Sequence, residues 1–220
     1  MGEKHVFRAS DLPMLEKHPA SWAFTREAGV TMKADSDAAA LGRAYHKAME
    51  LAAAEGRAEV EPRLAAIARA ENVPAGDLVY LWRKLDWDPK GYSAEVPLLM
   101  SRPYGEDTIE LHLVTALVRL VGQDVVEALE IKTGDPTKAL DAGDHAQLVA
   151  NLVALRQNFG RPIGIGYMLY AQKGERGWSD CEIRGDDQWQ RAEDWIYGIC
   201  ERAIEQSRRM PESRECRVGD

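Results

Sequence analysis

The strongest constraint on the fold is a change in the spacing of apolar residues near residue 92. Before this point apolar residues recur at helical spacing, as in "SDAAALGRAYHKAMELAAAEG". After it, apolar and polar residues alternate in "YSAEVPLLMS", "TIELHLVTALVRLV" and "VVEALEIKTG", which are joined by the short turns "RPYGED" and "GQD". Alternation interrupted by tight turns is typical of antiparallel strands, so we predict a three-stranded meander.

The segments that follow the meander return to mixed helix and strand patterns. "GDHAQLVANLVALRQNFG" has helical spacing, "IGIGYMLYA" and "WSDCEIR" are typical of strands, and a closing amphipathic helix follows from about residue 186 to residue 210. This order predicts an α/β fold with a central mixed sheet flanked by helices. We expect residues 1–220 to form a single domain, and residues 57–91, whose pattern predicts further helices, to be a helical insertion within it.

Composition excludes few functions. The chain is 45% hydrophobic and 29% charged, which is ordinary for a globular protein, and no apolar run approaches a membrane span. The start, "MGEKHVFRASDL", has no signal-peptide pattern, so we expect a cytoplasmic protein without membrane contact. A net charge of −8 does not favour a protein coated in positive potential, but a local basic groove can coexist with an acidic total.

Two groups of polar residues stand out from this background. Glu130 and Lys132 lie two apart on the third strand, so they share a face just before a "TGDP" turn. Gly42, His46 and Glu50 lie four apart on one stripe of a helix, and the glycine allows another backbone or a ligand to approach closely. Taken alone, the helix stripe is more typical of a solvent-facing histidine and glutamate, and Glu130 with Lys132 can be a simple ion pair at a strand end.

Four motifs occur together in one order: "LGRAYHKAME", "EVPLLM", "LEIKTG" and "HAQLVANL". With them the chain resembles the RecB-type nucleases of the PD-(D/E)XK superfamily, including phage-encoded and CRISPR-associated relatives. "RASDLPMLEKHPASW" is similar to the opening helix of that family. The resemblance implies a restriction-endonuclease-like fold, hydrolysis of phosphodiester bonds in DNA, and Mg²⁺ or Mn²⁺ as cofactor.

The same resemblance implies roles for particular residues. His46 and Glu130 match metal ligands, Lys132 matches the catalytic ammonium, and Glu95 matches an auxiliary catalytic acid of some members. Gln147 matches the glutamine of the Q-x-x-x-Y helix, which contacts substrate or supports the site. Further residues expected to contact substrate or support the site are Gly42, Glu50, Arg119 and Asn151.

Two positions depart from the family pattern. Aligning "TALVRL" with the G-x-x-D motif of the second strand puts Ala116 at the glycine and Arg119 at the catalytic aspartate, and Asn151 replaces the tyrosine of Q-x-x-x-Y. Glu110 does not replace the missing acid, since strict alternation places it on the opposite face from Arg119. We expect hairpin pairing to bring Arg119 near Glu130, where the guanidinium competes with a metal ion.

Two functions remain open on this basis. The first is a metal-dependent DNA nuclease, exonuclease-like, that retains catalysis through the remaining residues. The second is an inactive pseudo-nuclease that binds DNA or a protein partner in phage replication, recombination or defence. A third alternative, an ion pair in an unrelated α/β protein, is disfavoured because His46, Glu95 and Gln147 would then match by coincidence.

The cysteines and tryptophans add no further site. Cys181, Cys200 and Cys216 are far apart, which argues against disulfides and a zinc site. His18 stands where some relatives carry a cluster cysteine and no C-x-x-C pair is present, so we predict no iron–sulfur cluster in this chain. The tryptophans, among them Trp82, Trp87, Trp189 and Trp195, are expected to pack rather than to stack on bases.

Overall fold

The computed structural model describes residues 2–27, 37–134 and 141–209, without the side chains of 24–27 and 174–176. These residues form six strands and eight α-helices, with short 3-10 turns between some of them. The strands are β1 Lys4–Arg8, β2 Ser93–Tyr104, β3 Asp107–Val121, β4 Val125–Lys132, β5 Ile163–Tyr170 and β6 Trp178–Arg184. The helices are α1 Leu12–Lys17, α2 Pro19–Glu27, α3 Asp37–Glu55, α4 Arg57–Val60, α5 Leu64–Ala70, α6 Ala75–Arg83, α7 Ala146–Phe159 and α8 Gly185–Arg209.

The sheet confirms the predicted fold class. β2, β3 and β4 form the expected antiparallel meander, β5 joins β4 in parallel, and β6 pairs with β5 in antiparallel fashion. Helices cover both faces, so the architecture is a mixed α/β sheet between helical layers. The strand β1 was not predicted; it pairs in parallel with β3 and extends the sheet at one end.

The two edges of β3 are used differently, and this creates a fork in the sheet. β2 runs along one edge from Asp107 to Val118. The other edge is shared, since β1 pairs with residues 108–112 and β4 with residues 117–121. No described strand pairs with residues 113–116 on this second edge. The end of β4, which carries Glu130 and Lys132, therefore borders an opening in the sheet on one side and β5 on the other.

Two hydrophobic cores lie on opposite faces of the sheet. The first core contains Trp189 and packs α1, α2, α7 and α8 against the sheet. The second core packs α3 to α6 against the other face, with Trp82 and Tyr45 in edge-to-face contact at a centroid distance of 6.2 Å. Residues 57–91 thus supply much of the second core through α4, α5 and α6. Their description as an insertion stays a prediction.

β2 and β3 change the core that they face part-way along their length. Val96 packs against the first core, whereas Ala94, two residues earlier, packs against the second. On β3, Leu113 packs in the first core and Leu117 in the second. The change coincides with Glu95, whose φ of +50° interrupts the regular pleat.

This change of face corrects the prediction for Glu110. The prediction assumes strict alternation along β3, which the strand does not keep. Leu111 faces the first core and Leu117 the second, so Glu110 and Arg119 both point away from the first core. Glu110 lies far from the fork in any case, in an ion pair with Lys4 of 2.7 Å.

The tryptophans and cysteines largely pack as expected. Trp82 and Trp189 are fully buried, and Trp195 donates a hydrogen bond from its ring nitrogen to Glu16 at 3.0 Å. Cys181 and Cys200 are free thiols, and burial raises the pKa of the Cys200 thiol to about 12. Cys216 lies outside the described residues. None of the described helices is long and apolar enough to cross a membrane.

Candidate active site

An open pocket of about 570 Å³ lies where α3 crosses the end of β4, at the fork in the sheet. Four parts of the chain form it: α3, Glu71 after α5, Glu95 on β2, and the segment from Glu130 to Gly134. The charged side chains that line it are Arg43, His46, Lys47, Glu50, Glu71, Glu95, Glu130 and Lys132. The structure therefore brings His46 and Glu95, from two distant parts of the sequence, together with Glu130 and Lys132.

Lys132 is held by two oxygen acceptors. Its ammonium donates to Glu130 Oε1 and to Gln147 Oε1, both at 2.8 Å. Glu130 is only 3% exposed, so the charge-assisted hydrogen bond from Lys132 compensates a buried carboxylate. Gln147 comes from the first turn of α7, which fixes the ammonium from the other side. Gln147 was expected to support the site, and it does contact Lys132 directly.

His46 contacts both the strand and the second acid. Its Nε2 donates to the carbonyl oxygen of Ile131 at 3.1 Å, and its Nδ1 lies 3.7 Å from Glu95 Oε1. Burial by itself lowers the pKa of His46, but the nearby carboxylates of Glu95 and Glu130 and the contact with the Ile131 carbonyl outweigh it, and the pKa is raised. The imidazole therefore favours its charged form more than a free histidine does.

Glu95 reaches the pocket from a strained backbone position. It has a φ of +50°, which is uncommon for a residue other than glycine. Its neighbours Ala94 and Val96 pair with Leu117 and Thr115, so Glu95 lies beside Ala116. A second carboxylate is thereby supplied to the pocket from β2.

Gly42 and Glu50 lie on either side of His46 along α3. A Cβ atom at Gly42 would lie 3.1 Å from Thr133 Oγ1, so the glycine does permit a close approach, and the approaching group is the end of β4. Glu50 lines the pocket but forms an exposed ion pair with Lys47 at 2.7 Å. It has no described contact with the other predicted site residues.

Three charged residues of the pocket, Arg43, Lys47 and Glu71, were not predicted from the sequence. Arg43 and Glu71 form an ion pair of 3.0 Å between α3 and the turn after α5. Glu71 ends a helix of the 57–91 segment, so its approach depends on the packing of that segment against α3. No local pattern in the sequence marks it. Arg43 adds a partly exposed cation at the side of the pocket.

The prediction that hairpin pairing brings Arg119 near Glu130 is wrong. Arg119 pairs with Glu127, and its Nη2 lies 2.6 Å from Glu127 Oε2. The reason is the register, since Val121 pairs with Val125 across a three-residue turn and Arg119 must then meet Glu127. Arg119 does not line the pocket and cannot compete there for a metal ion.

The residue of β3 just beyond the last pair with β4 is Ala116. Leu117 pairs with Leu129, and continuing this register by one residue places Ala116 opposite Glu130. Ala116 has no polar side chain and is 6% exposed. β3 therefore contributes no carboxylate at this position, and Glu95 on the neighbouring strand lies nearest to it.

Several buried polar atoms of α7, of the residue before it and of β3 lack partners. Both side-chain amide atoms of Asn151, the Nδ1 atom of His145 and the hydroxyl of Thr115 are buried without a hydrogen bond. Burial lowers the pKa of His145 to about 4, and the nearby charge of Lys132 adds to this effect. Asn151 lies one turn after Gln147 on α7 and makes no described contact with the other predicted site residues.

The donor atoms of the pocket fit a hard divalent cation in their chemistry. Glu95 and Glu130 offer carboxylate oxygens, Ile131 a carbonyl oxygen and His46 an imidazole, and Mg²⁺ and Mn²⁺ favour oxygen donors. Among the described residues, however, no three histidine, cysteine, aspartate or glutamate side chains are grouped closely enough to hold an ion. The chemistry fits, whereas a complete set of ligands is not preformed.

The sequence of the chain matches the family model of the PD-(D/E)XK nuclease superfamily over residues 9–218. The chain belongs to this superfamily. No curated protein matches it. A solved structure, titled "Crystal structure of SSO0001", is 16% identical, with a TM-score of 0.42, and the match covers 93% of this chain and 77% of that one. A likeness this distant carries no argument about function.

Membership of the PD-(D/E)XK superfamily supports a nuclease-like function and accounts for the order of the elements. Members of the superfamily generally use Mg²⁺ or Mn²⁺, which agrees with the chemistry of the donors in the pocket. The roles predicted for His46, Glu95, Glu130, Lys132 and Gln147 stay predictions. Four of these residues line one pocket, and the fifth, Gln147, holds Lys132 in it.

Proposed function

We propose that this PD-(D/E)XK protein hydrolyses phosphodiester bonds in DNA with the help of a divalent metal ion. The observation that carries the proposal is the position of Lys132, which is fixed between Glu130 and Gln147 in a pocket that His46 and Glu95 also line. An ammonium beside two carboxylates is the arrangement that stabilises charge on phosphorus next to a metal ion. DNA as the substrate, and assignment to the RecB-type branch, follow from the motif resemblance.

Each of these residues would have a separate role. Glu130 and Glu95 would hold the ion, with the carbonyl oxygen of Ile131 as a further donor. His46 would add its Nδ1 atom only after losing the proton that its raised pKa favours. The ion, when bound, polarises a phosphate oxygen and lowers the pKa of an attacking water molecule. Lys132 stabilises the negative charge that develops on the phosphate, and Gln147 keeps its ammonium directed toward the pocket.

Cleavage of single- and double-stranded DNA with Mn²⁺ tests the proposal. Glu130→Gln removes a negative charge at nearly constant volume, and Lys132→Met removes the ammonium. We expect each variant to lose at least about a hundredfold in the rate of cleavage. Glu110→Gln, which changes a carboxylate at the distant end of β3, is the matched control and should cleave normally. Metal-dependent cleavage that survives both pocket substitutions would remove the proposal.

One observation favours a second candidate function, a DNA-binding or protein-binding module without catalysis. β3 presents Ala116, not a carboxylate, opposite Glu130, so a metal ion would have one strong oxygen ligand fewer. In this case calorimetry shows no specific Mn²⁺ binding, while DNA or a protein partner from replication, recombination or defence still binds. Binding of Mn²⁺ that depends on Glu130 excludes this alternative.

A further inference from the structure

A second pocket, of about 520 Å³, lies on the face of the sheet covered by the second core. We call it the aromatic pocket, and it is lined by Asp86, Trp87, Tyr92, Arg119, Leu129, Tyr167, Trp178, Ser179 and Asp180. It shares no lining residue with the candidate active site. Nothing in the proposed nuclease chemistry uses it.

The aromatic walls of this pocket come from separate elements. Trp87 follows α6, Tyr92 precedes β2, Tyr167 lies in β5, and Trp178 begins β6. The Trp87 ring stands edge-on to Tyr92 at 5.1 Å and to Trp178 at 5.7 Å. Trp87 and Trp178 are only partly buried, unlike Trp82 and Trp189, and both pack against the second core. Trp87 therefore packs as expected, and its ring also lines the pocket.

The floor of the aromatic pocket is neutral in charge. Arg119 donates from Nε to Glu127 Oε2 at 2.8 Å, and the Tyr92 hydroxyl donates to the same oxygen at 2.9 Å. Glu127 is buried, so its charge and that of Arg119 cancel at short range. The guanidinium also lies over the Tyr92 ring, with its carbon 4.5 Å from the ring centre. The protein thus already holds one organic cation against an aromatic face here.

The rim of the aromatic pocket carries two exposed carboxylates. Asp86 accepts a long hydrogen bond of 3.4 Å from the ring nitrogen of Trp178. Asp180 has no hydrogen bond or ion pair through its side chain among the described residues. Burial raises the pKa of the nearby Tyr167 phenol, and the charges of Glu127 and then of Asp180 add to this effect. With Arg119 and Glu127 cancelling, these two acids leave the pocket with two uncompensated negative charges.

We propose that the aromatic pocket binds an organic cation, either a quaternary ammonium or a guanidinium group. Aromatic faces attract such cations through their quadrupoles, and nearby carboxylates add a direct charge attraction. In a protein of a nuclease family, a nucleotide is the main alternative ligand for an aromatic pocket. Stacking sites for nucleic acid combine aromatic rings with positive charge, and the rim here has the opposite sign.

The test uses the whole chain and follows the indole N–H signals of Trp87 and Trp178 by nuclear magnetic resonance. Tetramethylammonium and N-acetylarginine amide are the two cationic probes, and they distinguish a small quaternary ammonium from a guanidinium side chain. tert-Butanol is the uncharged counterpart of the first, and adenosine represents a nucleobase. We expect at least one cation to shift both signals and to bind about fivefold or more tightly than tert-butanol.

Asp180→Asn removes one rim charge at an exposed site where the fold does not depend on it. We expect this variant to weaken binding of the cation about fivefold, whereas Asp187→Asn, an equal change of charge in the first turn of α8, leaves it unchanged. Equal binding of tert-butanol and tetramethylammonium, or no effect of Asp180→Asn, would overturn the proposal. So would signal shifts caused by adenosine alone, or by none of the probes. These outcomes are independent of any cleavage of DNA.

Discussion

Lys132 and Arg119 are both cations on the meander, yet their surroundings differ in kind. Lys132 contacts a buried carboxylate and a neutral amide, and it lines the open pocket of the candidate site, so its ammonium can still be reached by a ligand there. Arg119 makes two contacts with one oxygen of Glu127 and packs on Tyr92. Its charge is already compensated. A cation in the sequence of this hairpin is therefore informative only together with the register that selects its partner.

This difference predicts opposite results for two substitutions to aspartate. Ala116→Asp adds a carboxylate opposite Glu130 and should raise the affinity for Mn²⁺ by at least about tenfold. Arg119→Asp should leave Mn²⁺ binding unchanged. It should also lower the free energy of unfolding by about 2 kcal/mol, because it places a second negative charge against buried Glu127. Calorimetry with Mn²⁺ and chemical denaturation measure the two quantities.

The opposite result would contradict the placement of Ala116 opposite Glu130. If Arg119→Asp created the Mn²⁺ site and Ala116→Asp did not, the family alignment would describe the pocket better than the strand pairing. The catalytic acid would then belong at position 119, and the pairing of Arg119 with Glu127 would be incorrect.

At the scale of elements, β2 combines regular pairing with one irregular residue. Ser93 to Tyr104 pair with β3 in a constant register, and only Glu95 departs from extended geometry. A left-handed conformation at a residue other than glycine costs about 1–3 kcal/mol, and such strain is concentrated at functional sites. In β2 it coincides both with the change of core and with the delivery of a carboxylate to His46.

Glu95→Gly should therefore stabilise the fold while weakening the site. Glycine adopts the positive φ without a steric penalty, so we expect the free energy of unfolding to rise by about 1 kcal/mol. Binding of Mn²⁺ should weaken in the same variant because a carboxylate is lost. Glu95→Gln is the control, since it removes the charge but keeps the backbone strain. If the glycine variant were no more stable than the glutamine variant, the strain at Glu95 would be negligible.

The helices and strands also show which parts of the fold can be predicted from the sequence. The meander, α7, β5, β6 and α8 are predictable because each has its own periodicity and its own turn signals. β1 is too short to be distinguished, and it forms only through a parallel pairing with residues about a hundred positions away. The register of β3 and β4 follows from the turn, where Gly122 takes a φ of +60°. Counting from that turn, rather than from the family motif, gives the pairing of Arg119 with Glu127.

The sequence predicts which residues belong to the candidate site better than it predicts how they are arranged in space. Glu130 and Lys132 share a strand, so their contact follows from spacing alone. The approach of His46 and Glu95 depends on how α3 lies across the sheet and on the irregular backbone of β2. Glu71 has no signal in the sequence. Contacts between distant segments are decided by packing, which the periodicity of one segment does not contain.

At the scale of the molecule, the sheet separates two cores that meet the site from opposite sides. α7 of the first core supplies Gln147, and α3 of the second core supplies His46, so both layers must be in place for the pocket to form. The stability of the whole fold and the geometry of the pocket are therefore linked. His145 is buried just before α7 and close to Lys132. Its protonation therefore makes the stability of this region depend on pH.

The pKa of His145 is lowered to about 4 in the fold, chiefly by burial and then by Lys132. An unfolded chain takes up this proton near pH 6.5, so stability is lost as the pH falls from about 6.5 toward about 4. His46 has a raised pKa, so it acts in the opposite direction: its contribution is present below about pH 6.5 and is lost as the pH rises through the raised value. The two histidines partly offset one another, and substitution separates them.

We expect His145 to lower the free energy of unfolding by about 2 kcal/mol between about pH 7 and about pH 5. In His145→Asn this share of the pH dependence should disappear, whereas His112→Asn, at an exposed position on β3, should leave it unchanged. Denaturation curves at both pH values measure the difference. Equal pH dependence in the wild type and His145→Asn would mean that the imidazole can be protonated inside the fold without cost. The packing of α7 against the end of β4 would then have to be looser than the burial of His145 indicates.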